Sequence, residues 1–169
     1  KYLNNPNLKD FSQRGPVTPD HVIRIKPKPL ILNIKHETAE NLDNVVRREI
    51  ETFKKNYRKY FFRNRKYVSK STELDPNPRL ILCPGLGLIG IGRSKKEAKI
   101  ASDLAEVTVD VISKAESIGK FRSIPDKEIF KVEYWPLEQA KLKNLKRLSL
   151  TGHVTVISGG CGTIGLAIA

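Results

Sequence analysis

The sequence predicts an α/β fold, in which short strands alternate with long helices. Two apolar runs, Arg79–Cys83 and Leu88–Ile91, flank a turn at Pro84–Gly87 and have the length and composition of buried strands. A stretch with helical periodicity follows from Ser94 to about Ile118. The third observation is the end of the chain, where the β-branched run Val154–Ile157 leads into a glycine-rich turn. Strands that alternate with helices favour a sheet covered by helices.

Regular structure before residue 40 is predicted to be sparse. Lys1–Gln13 is polar and predicts a loop. Thr18–Asp20 reads Thr-Pro-Asp, which is typical of a helix start with a threonine N-cap and a proline at the first helical position. Lys26–Pro29 reads Lys-Pro-Lys-Pro and ends that helix, because residues before proline avoid the helical region. Leu30–Ile34 is a short apolar run and predicts a strand.

Asn41–Lys59 is predicted as the first long helix, because apolar residues recur there every three or four positions. Aromatic and basic residues are interleaved from Tyr57 to Tyr67, and the chain carries a net charge of +13. Such a segment can stack on nucleic-acid bases. Alternatively, the aromatic side chains are core and the basic ones cluster at a helix C-terminus, where the helix dipole favours them. We favour the core interpretation and expect no nucleic-acid partner.

The second long helix has a start and an end in the sequence. Ser94 and Glu97 form a capping box, in which each side chain is expected to accept from the main-chain amide of the other. Gly119 is the expected C-terminal glycine. Small residues on the inner face predict close packing on a sheet. Two short helices are then predicted, beginning near Ser123 and at Pro136, before a basic linker from Lys141 to Arg147.

The glycine turn after Val154–Ile157 has the pattern Gly160-x-Gly162-x-x-Gly165, and Leu166–Ala169 then begins a helix. In a dinucleotide-binding element, such glycines allow a tight turn, a close approach to a pyrophosphate and close packing of helix on strand. We therefore predict an NAD(P)-binding element. Its candidate cofactor-binding residues are Ser158, Gly159, Gly160, Gly162, Thr163, Ile164 and Gly165. Since one strand and one helical turn do not make a domain, we expect the chain to be a piece of a longer protein.

The remaining composition excludes some classes of protein. Cys83 and Cys161 cannot build a disulfide framework, and both are expected to be small buried residues of a reducing compartment. No apolar run approaches the length of a membrane span, so we expect a cytoplasmic protein without a membrane partner. His36 and His153 are expected at the surface or at a strand edge. His21 can either bind a metal or a substrate phosphate, or hydrogen-bond locally at the helix start.

Three motifs and the glycine turn together carry a family resemblance. The motifs are Arg14-Gly-Pro-x-Thr-Pro-Asp-His-Val-Ile, Pro78-Arg-Leu-Ile-Leu-x-Pro-Gly-Leu-Gly-Leu and Glu133-Tyr-Trp-x-Leu-Glu-Gln-Ala-Lys-Leu. In this order the chain resembles the bifunctional class II aldolase/short-chain dehydrogenases of the rhamnulose-1-phosphate aldolase/alcohol dehydrogenase type. The resemblance implies the C-terminal part of an adducin-head-like α/β/α aldolase domain at 1–122, a helical linker at 123–150, and the truncated start of a Rossmann domain at 151–169.

The resemblance also implies a zinc ion and a dinucleotide. Class II aldolases bind Zn²⁺ through three histidines, and the His-x-His element that supplies two of them is absent here. Leu86-Gly87 stands where the third histidine normally precedes a glycine, so His21 becomes the candidate metal ligand. In the dehydrogenase turn, Ser158 replaces the usual threonine and Thr163 replaces the middle glycine. The catalytic tyrosine and lysine of the dehydrogenase are expected beyond Ala169, so no catalytic residue is assigned.

The implied function is zinc-dependent retro-aldol cleavage of a ketose 1-phosphate, followed by NAD(P)-dependent oxidation of the released hydroxyaldehyde. The parent is expected to be a homo-oligomer that acts in carbohydrate metabolism, and the fragment itself is expected to be inactive. Two alternatives stay open. One is a non-catalytic adducin-like binding module, and the other is a stand-alone short-chain dehydrogenase with an N-terminal extension.

Overall fold

The computed structural model describes residues 2–35, 37–143 and 155–169. Within these ranges the chain is mostly helical, with one small sheet. The helices are α1 (Leu8–Ser12), α2 (Val22–Ile25), α3 (Ala39–Asn64), α4 (Lys95–Ile118), α5 (Asp126–Glu133), α6 (Pro136–Lys143) and α7 (Thr163–Ile168). The strands are β1 (Leu30–Ile31), β2 (Leu80–Cys83) and β3 (Gly87–Gly90). Short turns of 3-10 helix occupy Tyr2–Asn4, Pro19–His21 and Arg65–Tyr67.

The sheet has the order β1-β2-β3, with β2 buried in the middle. β1 runs parallel to β2 with Leu30 opposite Ile81, and β3 runs antiparallel to β2 with Ile89 opposite Ile81. The predicted strand at Leu30–Ile34 is therefore present but only two residues long.

Helix α4 lies against the sheet and confirms the predicted close packing. Ala101 and Ala105 are buried, and a Cβ on Gly90 of β3 would overlap the main chain of α4. The Ser94 hydroxyl accepts from the Glu97 amide at 3.2 Å, as the capping box predicts. The reciprocal bond is absent, because the Glu97 carboxylate instead accepts from the Arg93 amide at 2.8 Å. Gly119 follows the helix as expected, but its φ of 179° is extended rather than left-handed.

Helix α3 confirms the predicted first long helix and extends it at both ends. Three aromatic residues of its C-terminal half, Tyr57, Tyr60 and Phe61, are buried, which confirms the core interpretation for them. Their partners come from α5, where Phe130 is fully buried and stacks on Tyr134 with ring centroids 4.2 Å apart. The segment predicted as a helical linker thus contains a helix whose inner face is core.

Several local expectations are wrong. Lys1–Gln13 is not only loop, since α1 buries Leu8 and Phe11 in the cluster between the sheet and α4. The described part of the predicted strand Val154–Ile157, residues 155–157, has no strand pairing. Cys161 is exposed rather than buried, whereas Cys83 is buried as expected.

Some expectations fall on positions that the structure does not describe. His36 and residues 144–154 lie outside the described residues. The second range includes His153, Val154, the end of the predicted linker at 123–150 and the first residues of the predicted Rossmann domain. None of the helices in 2–35, 37–143 and 155–169 combines the length and the apolar character needed to cross a membrane.

Candidate functional site

The candidate site is a cavity of about 420 Å³ beside α2 and the end of α5. Its wall combines apolar residues with three basic and two acidic side chains. The lining residues are Val22, Ile23, Lys26, Leu74, Asp75, Arg79, Arg93, Glu133, Gln139 and Leu142. A cavity of this size with a few converging polar groups has the dimensions of a small-molecule site.

Lys26 is held inside the protein by an uncommon backbone conformation. It caps α2, its amide donates to the Val22 carbonyl at 2.9 Å, and its φ of 65° and ψ of 169° lie in a region that residues with a side chain rarely adopt. Pro27 follows and favours that extended ψ. As a result only 6% of Lys26 is exposed, and its Nζ lies 3.6 Å from the centroid of the Tyr57 ring. Burial lowers the pKa of Lys26 to about 8, although the nearby Glu133 carboxylate opposes this change.

Glu133 is the acidic counterpart and is 1% exposed. Ile129 and Glu133 are four residues apart in α5, so the apolar pattern that buries Ile129 also turns Glu133 inward. Glu133 Oε1 accepts from the Tyr57 hydroxyl at 2.7 Å, and the Tyr57 and Tyr134 hydroxyls lie 2.9 Å apart. Burial raises the pKa of Glu133 to about 7, while the Lys26 ammonium and the Tyr57 hydroxyl oppose that change.

One oxygen of this carboxylate is left without a partner. Glu133 Oε2 is buried and makes no hydrogen bond with any described residue. The neighbouring Tyr60 hydroxyl is also buried and meets no acceptor in normal hydrogen-bond geometry among the described residues. Burial, the Glu133 charge and an interaction of the hydroxyl with Glu133 raise the pKa of Tyr60. Buried polar atoms in native proteins nearly always have a partner. Both atoms are closed off from solvent, so the Tyr60 hydroxyl is the donor that the structure places beside Glu133.

The basic part of the wall consists of Arg79 and Arg93, together with Lys26. Arg79 Nη2 donates to Asp75 at 2.8 Å, and Arg93 Nη2 donates to Glu97 at 2.9 Å. These carboxylates fix the two guanidinium groups at the wall without using all of their donors. Each basic side chain of the wall thus has a carboxylate beside it: Asp75 for Arg79, Glu97 for Arg93 and Glu133 for Lys26.

His21, the predicted metal ligand, lies in the 3-10 turn Pro19–His21 and does not line the cavity. Its Nδ1 is buried and has no hydrogen-bond partner among the residues that the structure describes. Among the described residues, however, no group of three or more His, Cys, Asp or Glu side chains could hold a metal ion. The described part of this chain does not form a zinc site by itself, and no catalytic step through zinc follows from it.

The structure describes all seven predicted dinucleotide-binding residues in one turn and the following helix. Gly159 has φ +71°, Gly162 donates to the Gly159 carbonyl at 2.9 Å, and α7 begins at Thr163. Gly165 is buried, and a Cβ there would overlap the Gly159 carbonyl. The glycines thus permit a tight turn and close contact with the helix. Ser158, Thr163 and Ile164 are exposed, and Gly160 is half-buried.

Sequence reasoning missed Lys26, Tyr57 and Glu133 as a site. Tyr57 and Glu133 are 76 residues apart, so no local spacing connects them. The available signal was indirect: a lysine directly before a proline, and a glutamate on the apolar face of a short helix.

Comparison with known proteins gives two matches. The profile of the family described as "Aldolase class II, second domain" matches residues 1–142. A Bacillus subtilis protein named "Uncharacterized oxidoreductase YuxG" is 33% identical over 170 residues, which cover 99% of this chain and 24% of that protein. The chain therefore spans about a quarter of the length of this relative. No solved structure matches the chain.

Proposed function

The chain belongs to the class II aldolase second-domain family, and on that premise we propose that its parent protein is a bifunctional aldolase and dehydrogenase. The parent cleaves a ketose 1-phosphate of the rhamnulose 1-phosphate type by a retro-aldol reaction. It then oxidises the released hydroxyaldehyde with NAD(P). The observation that carries this proposal is the family match over residues 1–142, followed along the chain by a glycine turn that opens α7.

The proposed organisation places the aldolase part at 1–122, a linker at 123–150 and the start of a Rossmann domain at 151–169. The similarity to a much longer protein named an oxidoreductase supports a dehydrogenase part. The overlap of a Gly165 Cβ with the Gly159 carbonyl supports a cofactor turn built on glycine. Zinc belongs to the proposal as a family property, with His21 as one ligand and the other ligands supplied from outside the described residues. We also propose a cytoplasmic homo-oligomer whose substrates are the sugar phosphate and the hydroxyaldehyde.

The test is a coupled assay on the full-length parent. Purified parent is incubated with rhamnulose 1-phosphate and NAD⁺ or NADP⁺, and NAD(P)H is followed by its absorbance. A second reaction starts from lactaldehyde and bypasses the aldolase step. We expect both reactions to produce NAD(P)H, and a metal chelator to stop only the first. The alternative outcome is that the parent oxidises lactaldehyde but cleaves no sugar phosphate, whichever divalent metal is added. The parent would then be a dehydrogenase with an N-terminal extension.

The metal assignment is tested separately. Elemental analysis of the parent, wild type against His21→Ala, is expected to show less zinc in the variant while the circular dichroism spectrum is unchanged. Equal zinc in the two proteins would remove His21 from the ligand set. The 169-residue chain alone is expected to reduce no NAD⁺ with lactaldehyde.

A second candidate function is a non-catalytic binding module, and one observation favours it. Phe62 is 56% exposed and Tyr67 is also exposed, and the Arg65 guanidinium lies 5.4 Å from the Phe62 ring centroid. The remaining aromatics of this segment are buried, which favours the enzyme. Tight binding of an RNA or DNA oligonucleotide that weakens steeply with salt would support the module.

A further inference from the structure

A second cavity, of about 340 Å³, is a groove along α3. Its lining residues on α3 follow one face of the helix at intervals of three or four and include Phe53, Asn56, Tyr60 and Arg63. Pro27 and Lys28, between α2 and β1, also line it. We propose that this groove binds a small aromatic anion, whose phosphate or carboxylate group contacts Lys28 and Lys59 and whose ring lies on the apolar floor of the groove. The inference does not rest on the proposed function, which uses neither lysine.

Two lysines of the groove have no carboxylate partner in the described part of the chain. Lys28 and Lys59 are exposed, and neither forms an ion pair or a side-chain hydrogen bond with any described residue. Arg63 differs, because its Nη2 donates to Asp126 at 2.6 Å. An ammonium group on a flexible stem can turn towards a phosphate or a carboxylate and form a charge-assisted hydrogen bond. The groove thus keeps two cations that no described carboxylate pairs with, unlike the cavity beside Lys26.

The floor of the groove is apolar and largely aromatic. It consists of Pro27, Phe53, Tyr57 and Tyr60. Phe53 is only half-buried, so part of its ring surface is available to a ligand. Apolar surface that leaves water stabilises a complex, and two aromatic rings gain further from edge or offset contact. A ring on the ligand therefore fits this floor better than a polar body does.

The size of the groove limits the ligand to one ring with its anionic group. About 340 Å³ is near the lower end of the range for small-molecule sites. Two side-chain amides in the wall can orient such a ligand. Gln13 Nε2 donates to the Pro29 carbonyl at 2.9 Å, which leaves Gln13 Oε1 as an acceptor. Asn56 is exposed and makes no side-chain hydrogen bond to a described residue.

The test is calorimetric titration of the 169-residue protein with phenyl phosphate, inorganic phosphate and phenol. We expect phenyl phosphate to bind roughly tenfold more tightly than inorganic phosphate, the factor for about 60 Å² of ring surface that leaves water. Phenol lacks the charge and is expected to bind too weakly to measure. Equal affinity for phenyl phosphate and inorganic phosphate would overturn the proposal.

Two further probes define the ligand class. Benzoate replaces phenyl phosphate to determine which anionic group the lysines prefer. Cyclohexyl phosphate has the same charge and similar bulk, and we expect it to bind more weakly than phenyl phosphate, because it cannot make ring-to-ring contacts. Equal affinity for the two phosphates would overturn the choice of an aromatic body.

Single lysine variants test the charged contact. Lys59→Gln and Lys28→Gln are each expected to lower the affinity for phenyl phosphate about three- to fivefold, the loss expected for one exposed charge pair. Lys55→Gln is the matched control, because Lys55 is an exposed lysine one helical turn before Lys59 and does not line the groove. An equal loss in Lys55→Gln and Lys59→Gln would indicate attraction to the general positive charge of α3 and would overturn the site. All three side chains are exposed, so we expect these variants to fold.

A second measurement needs no variant and uses the full-length parent. Acetic anhydride acetylates exposed lysines, and mass spectrometry of the digested protein reports the extent at each one. Saturating phenyl phosphate is expected to slow the acetylation of Lys28 and Lys59 and to leave that of Lys55 unchanged. Equal rates with and without the ligand at Lys28 and Lys59 would overturn the proposal. Because this readout is independent of turnover, a parent that cleaves no ketose phosphate can still confirm the groove, and an active parent without protected lysines retains only the reaction.

Discussion

Replacing Glu133 with glutamine is expected to stabilise the protein at neutral pH and not in mild acid. In the folded protein the pKa of Glu133 is about 7, above its ordinary value of 4.5, because burial disfavours the carboxylate. A group whose folded pKa is raised contributes stability below the unfolded value and loses that contribution as the pH rises to the folded value. Glutamine resembles the protonated side chain and does not titrate. The gain from Glu133→Gln should therefore grow between pH 4.5 and 7.

The size of this gain follows from the same two pKa values. The interval from 4.5 to about 7 corresponds to about 3 kcal/mol, at about 1.4 kcal/mol for each pH unit. In the wild-type protein burial lowers the pKa of Lys26 to about 8, and the Glu133 carboxylate opposes that change. Glu133→Gln removes this carboxylate, so the pKa of Lys26 is lower in the variant. A lowered lysine pKa costs stability as the pH falls, so the titration of Lys26 acts in the same direction as the predicted trend.

The assay is urea denaturation of wild type and Glu133→Gln at several pH values from 4.5 to 7, followed by circular dichroism. The quantity compared is the difference in unfolding free energy between the two proteins at each pH. Leu8→Ala is the control, because Leu8 lies in the other buried cluster, between the sheet and α4, and its difference should stay constant with pH. A constant difference for Glu133→Gln as well would refute the elevated pKa and the buried position of this carboxylate.

Three further predictions concern packing and the glycine turn. Phe130→Ala should lower the unfolding free energy, measured by urea denaturation, by about 3 to 5 kcal/mol. Phe62→Ala on the exposed side of α3 should change it little. Equal losses in the two variants would contradict the aromatic cluster around Phe130. Gly90→Ala should lower the melting temperature, because its Cβ would overlap the main chain of α4. Gly119→Ala should leave the melting temperature unchanged, because a Cβ there has open space. Equal melting temperatures for the two variants would contradict the close packing at Gly90. Gly165→Ala in the full-length parent should weaken NADH binding, measured by nucleotide fluorescence, because its Cβ would force the turn to move. An unchanged affinity would show that this turn does not bind the cofactor.

Much of the secondary structure follows from local patterns. The helix at Lys95–Ile118 begins after Ser94 and ends before Gly119, where the sequence predicts both boundaries. Thr18 precedes the 3-10 turn that begins at Pro19, as expected, although its side chain makes no capping hydrogen bond, and Lys26 ends the helix that follows. In these places the deciding interactions lie within a few residues of one another, so the sequence alone is sufficient.

Other features depend on distant parts of the chain and could not be predicted. Leu8 and Phe11 lie in a short polar segment, and they are buried only because the sheet and α4 provide apolar partners far along the sequence. Residues 155–157 are β-branched or polar and predict a strand, yet none of the described strands pairs with them. Glu133 is inconspicuous in sequence, and its chemistry arises from burial beside Tyr57 and Lys26. The resemblance to bifunctional enzymes predicted the family, but not the position of this cavity.

The conformation of Lys26 also bears on how this protein can be engineered. A glycine would adopt φ 65° and ψ 169° without a steric penalty, so the backbone conformation taken by itself favours glycine at this position. Lys26→Gly would also empty one side of the cavity and leave Glu133 without its cationic neighbour. A lysine at a position suited to glycine is the pattern expected when a less stable backbone is tolerated for the sake of a side chain. A design method that scores backbone conformation alone would therefore replace this lysine first.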